Sequence, residues 1–336
     1  MTELFKSPEE VRAAVEHLHS DKNALMDEIA RVIVGQEEVV ELLLASIFTG
    51  GHALLIGVPG LAKTALVRAL ASALDLSFKR IQFTPDLMPS DITGTNMIVE
   101  NEEGRRKFEF MQGPVFANIV LADEVNRSPS KTQAALLEAM QERQVTVGRD
   151  TYKLPYPFFV IATQNPIEQE GTYELPEAQL DRFLLSIHVG YPSVPEEEQI
   201  ISSPPMNLDI IKKVMGVARV VEIHRLTQAV RASNYVVSYV TRLVRSTRPN
   251  DKQSPDFVKE MVEWGVGPRA GQFLLWTAKA LAAMNGRLAA GAADVRRALV
   301  PVLRHRLCLN FQGQAKGVTA EDILNRLLEV TPEPKE

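Results

Sequence analysis

The stretch Gly57-Val58-Pro59-Gly60-Leu61-Ala62-Lys63-Thr64 decides how this chain is read. It follows a short apolar run, Ala53–Ile56, and opens a helical pattern over 63–74. A strand, a glycine-containing loop and a helix in that order are the setting a phosphate loop requires. The helix start offers unpaired N–H groups and the positive end of a dipole, which together hold anionic phosphate. Gly57 and Gly60 let the backbone curl around a β-phosphate, Lys63 reaches β/γ oxygens, and Thr64 offers a hydroxyl to Mg²⁺. Val58, Pro59, Leu61, Ala62 and Ala65 complete the cofactor-binding run. The second glycine of the usual pattern is replaced by Ala62. Its methyl group fits if the backbone there stays right-handed helical, and it narrows the loop.

A second motif stands about 60 residues on. Ile119-Val120-Leu121-Ala122-Asp123-Glu124 is an apolar strand ending in two carboxylates. In an open parallel sheet, ligands bind at the carboxyl ends of strands, so both motifs meet at one edge. Asp123 is then expected to hold Mg²⁺ through water, and Glu124 to orient or deprotonate the attacking water. A third strand, Phe158-Phe159-Val160-Ile161-Ala162-Thr163, runs into Gln164-Asn165-Pro166. Asn165 is either a turn former before proline or a side chain that holds the lytic water or touches the γ-phosphate.

The rest of the chain fits around these motifs. Apolar runs at Ala53–Ile56, 78–83, 119–122, 158–163 and 183–189 alternate with helical patterns at 63–74 and 129–143. That alternation predicts a five-stranded parallel sheet covered on both faces, an α/β fold. Ser128-Pro129 reads as a serine cap with proline at the first helical position. Hairpins are expected from 97–99 with 107–111, around Gly104, and from 145–147 with 151–154, around Gly148-Arg149-Asp150. Residues 22–50 carry a helical pattern broken at Val34-Gly35-Gln36. Tyr191-Pro192-Ser193-Val194-Pro195 marks a boundary, and beyond it only helices are expected, near 195–202, 222–247, 256–264, 269–285, 293–307 and 320–330. Thr319 and Asp322 resemble a capping box for the last of them. The division expected is an N-terminal helical extension over 1–21, a nucleotide-binding core over 22–191, an all-helical lid over 192–331, and a tail over 332–336.

Composition narrows the class. Apolar residues at 45% and charged residues at 24% are a globular balance. A net charge of −5 and a pI near 5.8 give no extended basic surface for nucleic acid. The single cysteine, Cys308, excludes an internal disulfide and a cysteine zinc cluster, and fits a reducing, cytoplasmic setting. The six histidines show no metal-ligand spacing, and Trp264 and Trp276 are expected in the lid core. Residues 42–62 lack a charged side chain over 21 positions, long enough to span a bilayer. Gly50, Gly51, His52 and Pro59 interrupt the run, so it reads as a helix end followed by a strand, without membrane insertion.

Together the motifs resemble those of AAA+ ATPases, in detail the MoxR family. The likeness lies in 57–64, with alanine before the lysine, in Leu121-Ala122-Asp123-Glu124-Val125-Asn126-Arg127, and in Ala162-Thr163-Gln164-Asn165-Pro166. It extends to Glu174-Leu175-Pro176-Glu177-Ala178-Gln179-Leu180-Asp181-Arg182-Phe183 and Gly265-Val266-Gly267-Pro268-Arg269-Ala270. The resemblance implies an AAA+ core with a helical lid. It makes Lys63 and Thr64 the Walker A pair, Asp123 and Glu124 Walker B, and Asn165 sensor 1. Arg182 becomes the arginine finger entering a neighbouring subunit, and Arg269 the sensor-2 arginine, in its own site or a neighbour's. Val34, Gly35 and Gln36 lie where the family contacts adenine. A guanidinium never loses its charge and matches phosphate oxygens with a fork of donors. Arg269 opens a helix, where a cation needs an anionic partner. Asn126-Arg127 is either at the subunit interface or a simple helix-entry loop.

The resemblance also implies Mg·ATP hydrolysis by a homo-oligomeric ring, six being the family's usual count. Such proteins remodel, mature or load cofactor into a partner, often one with a von Willebrand A domain, and are chaperone-like. Two other readings compete: a nucleic-acid-dependent motor on the same core, and a nucleotide-gated scaffold without turnover. The hairpins face the pore or a partner in relatives that have them.

Overall fold

Five short apolar strands meet in one sheet, here labelled β1 (Ala53–Ile56), β2 (Phe78–Gln82), β3 (Ile119–Asp123), β4 (Phe159–Gln164) and β5 (Leu185–His188). The fold is that of a computed structural model, which describes residues 7–100, 106–167 and 171–333. The strand order is β2-β3-β4-β1-β5, and all four pairings are parallel. Ala53 stands beside Ile161 on one side and Leu185 on the other, and Gln82 stands beside Asp123. Successive side chains point to opposite faces. Leu55, Leu121, Ile161 and Ile187 face one apolar cluster with the helix Lys63–Ala73, while Leu54, Val120, Val160 and Ala162 face a second with the helix Ser130–Glu142. Burial on both faces explains why β1, β3 and β4 read as continuous apolar runs, while β2, at the end of the sheet, exposes Lys79 and Arg80.

The same parallelism gives the sheet two unlike edges. All five carboxyl ends lie on one side, all five amino ends on the other. Four residues of β1 separate them by about 13 Å.

The first helix, Pro8–Ala30, begins with a Ser7 cap whose side chain accepts from the Glu10 N–H. It buries Val15, Leu18, Leu25 and Ile29, one stripe at helical spacing. It packs on the helices Lys63–Ala73, Val217–Ala229 and Pro268–Met284, and it runs unbroken across the boundary expected at 21/22. The uncharged stretch 42–62 divides as expected into the end of the helix Glu37–Thr49, then β1, then the phosphate loop. Among the described residues no helix is long and apolar enough to cross a membrane. Two hairpins leave the sheet, Gly94–Glu100 with Arg106–Gln112 and Gln144–Val147 with Asp150–Lys153. Phe110 and Tyr152 stack at 3.9 Å and tie them together. The Gly104 turn, the first six residues and 334–336 lie outside the described residues.

Several expectations need correction. Ser128 is not the cap of the helix Ser130–Glu142: Pro129 takes that position, and the Ser128 hydroxyl is buried without a partner. The segment after 191 is not purely helical. Arg231–Ala232 pairs with Ala289–Ala290, and Val262–Trp264 with Cys308–Leu309. The helix expected over 222–247 is two, Val217–Ala229 and Asn234–Ser246, the second capped by Ser233. Trp264 and Trp276 are 66% and 46% exposed, so neither is lid core.

Candidate active site

The phosphate loop leaves β1 at the carboxyl edge. The Gly57 N–H donates to the Gln164 carbonyl at the end of β4, 3.2 Å away. A Cβ on Gly57 would stand 2.8 Å from the Val189 carbonyl oxygen, so the loop can pack beside β5 only with glycine there. Gly60 has φ +87° with open space around it, a conformational need. Ala62 departs from the expectation of a right-handed backbone: its φ is +54°. An L-residue in that region costs roughly 1–2 kcal/mol. The Leu66 N–H to Ala62 carbonyl bond opens the helix, leaving the amides before it for an external acceptor. Lys63 folds back over the loop, donating to the carbonyls of Gly57 and of Val58, the latter at 2.8 Å. Burial lowers its pKa, and the Asp123 and Glu124 carboxylates act in the opposite direction.

The two acids at the end of β3 lie against this loop. Thr64 donates to Asp123 Oδ2 at 3.3 Å, which brings Walker-type lysine, hydroxyl and carboxylate to one place. Asp123 is buried. Its Oδ1 accepts from the Thr163 hydroxyl at 2.6 Å, and its Oδ2 also accepts from Arg80 Nε at 2.8 Å. The Glu124 N–H donates to the same Thr163 oxygen at 2.9 Å. Glu124 has φ +55°, a left-handed turn that swings its side chain off the strand line. Its Oε2 accepts from Gln82 Nε2 at 2.8 Å and from Arg127 at 3.1 Å. Asn165 is buried beyond β4, and its Oδ1 accepts from the Ile167 N–H at 3.2 Å. That contact is the turn-forming role; it leaves the amide nitrogen for another acceptor.

Between the first two helices, a cavity of about 190 Å³ is lined by Ile29, Ile33, Val34, Gly35, Val40 and Gln199 among others. Gly35 and Gln36 are both left-handed, and Gln36 Nε2 donates to the Gly190 carbonyl at 3.0 Å. A Cβ on Gly35 would stand 2.6 Å from the Glu196 carboxylate. Aliphatic walls together with the Gln199 amide and the Glu37 carboxylate suit a flat heterocycle with polar edges.

The arginines stand at the other edge. Arg182 precedes β5, whose lead-in Leu184 N–H bonds the His52 carbonyl just ahead of β1. Its guanidinium donates to the Leu137 carbonyl at 2.8 Å. Arg269, at the start of the helix Pro268–Met284, pairs with Asp181 at 3.2 Å. The anion it meets is therefore a neighbour of Arg182. Arg127 does not stand at this edge but pairs with Glu124. Sequence reasoning missed Arg80, Gln82, Thr163 and Arg306. Arg80 and Gln82 leave a signal, two polar residues at alternate positions of β2, on the side opposite Ile81. Arg306 leaves none, since its carboxylate partner is more than a hundred residues away. Among the described residues no cluster of histidine, cysteine and acidic side chains forms a transition-metal site.

The sequence matches a family model described as the ATPase family associated with various cellular activities (AAA) over residues 52–185, and an AAA lid domain over 256–327. It is 43% identical to Chaperone MoxR1 of Mycobacterium tuberculosis over 322 residues, 95% of this chain and 83% of that protein. It is 41% identical to the uncharacterised protein YeaC of Bacillus subtilis over 321 residues, 95% and 97% of the two chains. The crystal structure of a candidate ATPase from Cytophaga hutchinsonii has the same fold, with a TM-score of 0.88 at 41% identity over 96% of this chain and 98% of that one.

Proposed function

The chain belongs to the MoxR family of AAA ATPases, and we propose that it hydrolyses Mg·ATP at sites completed by a second copy of itself. The observation that carries this reading is the meeting of Lys63, Thr64, Asp123 and Glu124 at one edge, with Arg182 and Arg269 at the other. The core is taken as 22–191 and the lid as 192–331, with the first helix bracing both.

Lys63 is spent on two neutral carbonyls and would exchange them for phosphate oxygens, a stronger charge-assisted bond. The residues fit a hard cation. Asp123 Oδ2 already carries the Arg80 guanidinium beside the Thr64 hydroxyl, and both donors are oxygens. Thr64 and Asp123 would hold Mg²⁺, which supplies neutralisation of phosphate charge. Arg80 must give up part of its hold on Asp123 when it binds. Glu124 takes a proton from the attacking water, with Gln82 and Arg127 fixing where its carboxylate lies. Asn165 orients that water through its amide. Val34, Gly35 and Gln36 border the base.

Arg182 leads into the amino end of β5, with Arg269 paired to its neighbour Asp181, while the phosphate loop leaves the carboxyl end of the adjacent β1, so both act on the adjoining copy's triphosphate, in trans. A closed ring satisfies every such interface, and six subunits is the count taken here. Turnover in that ring drives remodelling, maturation or cofactor loading of a client protein in the cytoplasm, one carrying a von Willebrand A domain.

The test measures ATPase rate and assembled mass together. Glu124→Gln should bind ATP and assemble yet lose about 10²–10⁴ in turnover. Arg182→Ala should lose about 10³–10⁵. Mixing Arg182→Ala with Lys63→Ala should restore part of the activity, because each supplies what the other's site lacks. No recovery on mixing sinks the shared site. A turnover rate unmoved by a bound von Willebrand A partner sinks the client reading.

A further inference from the structure

At the amino edge one carboxylate carries two guanidinium groups. Asp181 Oδ1 accepts from Arg306 Nε at 2.8 Å, and Oδ2 accepts from Arg269 at 3.2 Å. The two cations live in opposite surroundings: the Arg306 side chain is 3% exposed, that of Arg269 60%. Arg306 spends its other donors on main chain. It bonds the carbonyls of Asp181 at 3.1 Å, of Leu184 at 3.4 Å, and of Phe183 and Val302, and it lies over the Phe273 ring at 5.0 Å. Two of those carbonyls, on Asp181 and Phe183, bracket Arg182. A group so enclosed cannot touch a ligand, and the groups it holds can.

We infer that Arg306 and Asp181 are positioning residues for Arg182 and Arg269. This rests on the ATPase reading above. Arg306 grips the main chain on either side of Arg182 and pins Asp181, and Asp181 aims Arg269 to the side where Arg182 stands. The charges make the arrangement more than a brace. Two cations share one anion, so the cluster keeps one net positive charge. Arg306 is buried and cannot be left uncompensated, so it holds the carboxylate by the shorter contact. Arg269 is left with a longer, partial contact, which a phosphate bearing more charge can displace. A carboxylate serving Arg269 alone would compete with phosphate more strongly. Lysine at 306 keeps the charge but lacks the planar fork that reaches carboxylate and carbonyls together.

The inference is tested in the full chain with Asp181→Asn and Arg306→Lys, each alone and combined with Arg269→Ala. The readouts are kcat, KM for Mg·ATP, assembled mass and thermal midpoint. Asp181→Asn, at a partly exposed site, should lower kcat by up to about 10²-fold, the cost of a misplaced group, with KM nearly unchanged. In the Arg269→Ala background the same change should do little further. Mixed with Lys63→Ala subunits, Asp181→Asn should regain activity. Equal losses from Asp181→Asn with and without Arg269 would make the cluster a structural clamp only and overturn the inference. So would full activity in Arg269→Ala while Lys63→Ala is dead, an outcome that leaves the ATPase reading standing. A rate that Lys63→Ala does not lower removes that reading itself, and this inference with it.

Discussion

The two edges of the central sheet are made in different ways. At the carboxyl edge the backbone does the placing. Gln36, Ala62 and Glu124, three of the five left-handed non-glycine residues among those described, all stand there. Their side chains and amides are committed to one geometry by strain that the packed strands below hold in place. At the amino edge the placing is done by hydrogen bonds from long side chains, with Arg182 and Arg306 bonding carbonyls and Arg269 and Arg306 sharing the Asp181 carboxylate. Rigid backbone suits a site that must cradle a ligand without rearranging. Long side chains suit groups that must leave one molecule and enter another.

The largest test of this contrast uses acid. His52 sits just ahead of β1, and its ring is fully used in the neutral form: the Val160 N–H donates to Nδ1 at 2.9 Å, and Nε2 bonds the Met140 carbonyl at 3.2 Å. His224 bonds the Ile47 carbonyl and meets the Tyr156 hydroxyl. Burial, with the Arg143 charge adding to it, pushes both down to about 4. Their folded pKa values lie below the unfolded one, so the unfolded chain binds more protons between about pH 4 and 6.5. Stability from these groups is full above that window and falls as pH drops through it. By pH 5 the loss is of the order of 2 kcal/mol for each histidine. Denaturant unfolding at pH 7 and pH 5 reads the total, and hydrogen exchange at Val160 locates it. A free energy equal at the two values would end the claim.

A smaller effect separates the edges from the other side. Thr163→Val removes the hydroxyl that serves both Asp123 and the Glu124 amide. It should cost about 1–3 kcal/mol of stability and lower turnover, while assembled mass stays the same. A change in mass with normal turnover would reverse the assignment of edges. Smallest is Ala62→Gly. Relief of the left-handed strain is partly offset by the freer unfolded glycine, leaving a gain of about 1 kcal/mol or less. A lower thermal midpoint would show that the Ala62 methyl packs usefully where it stands.

The sheet was legible in the sequence because its central strands, β1, β3 and β4, are apolar on both faces and bounded by turn residues, and each of the five lies within two residues of where it was expected. The motif residues at the carboxyl edge were legible for the same reason: each follows a strand. The lid was less so. Its ribbons are two or three residues long, below the length at which alternation registers. Trp264 was read by its hydropathy, yet it lies on the outer side of such a ribbon. Ser128 met the composition of a cap, but Pro129 already supplies an extended residue before the helix, and the serine turns inward. Arg306 and Asp181 are partners across 125 positions, and nothing local in either segment announces the other.

The first helix has a practical consequence. Val15 and Leu18 are wholly buried, His19 Nδ1 bonds the Met284 carbonyl at 2.8 Å, and Asp21 pairs with Arg219 at 2.8 Å. All four precede residue 22, where the nucleotide motifs would tempt one to trim. A chain begun there would keep each motif and lose half of a splint, baring greasy surface on the lid and the phosphate-loop helix alike. It should precipitate or go inactive for reasons unrelated to chemistry. Because the same rod leans on both bodies, a spectroscopic label on its outer face would report their relative rotation during turnover.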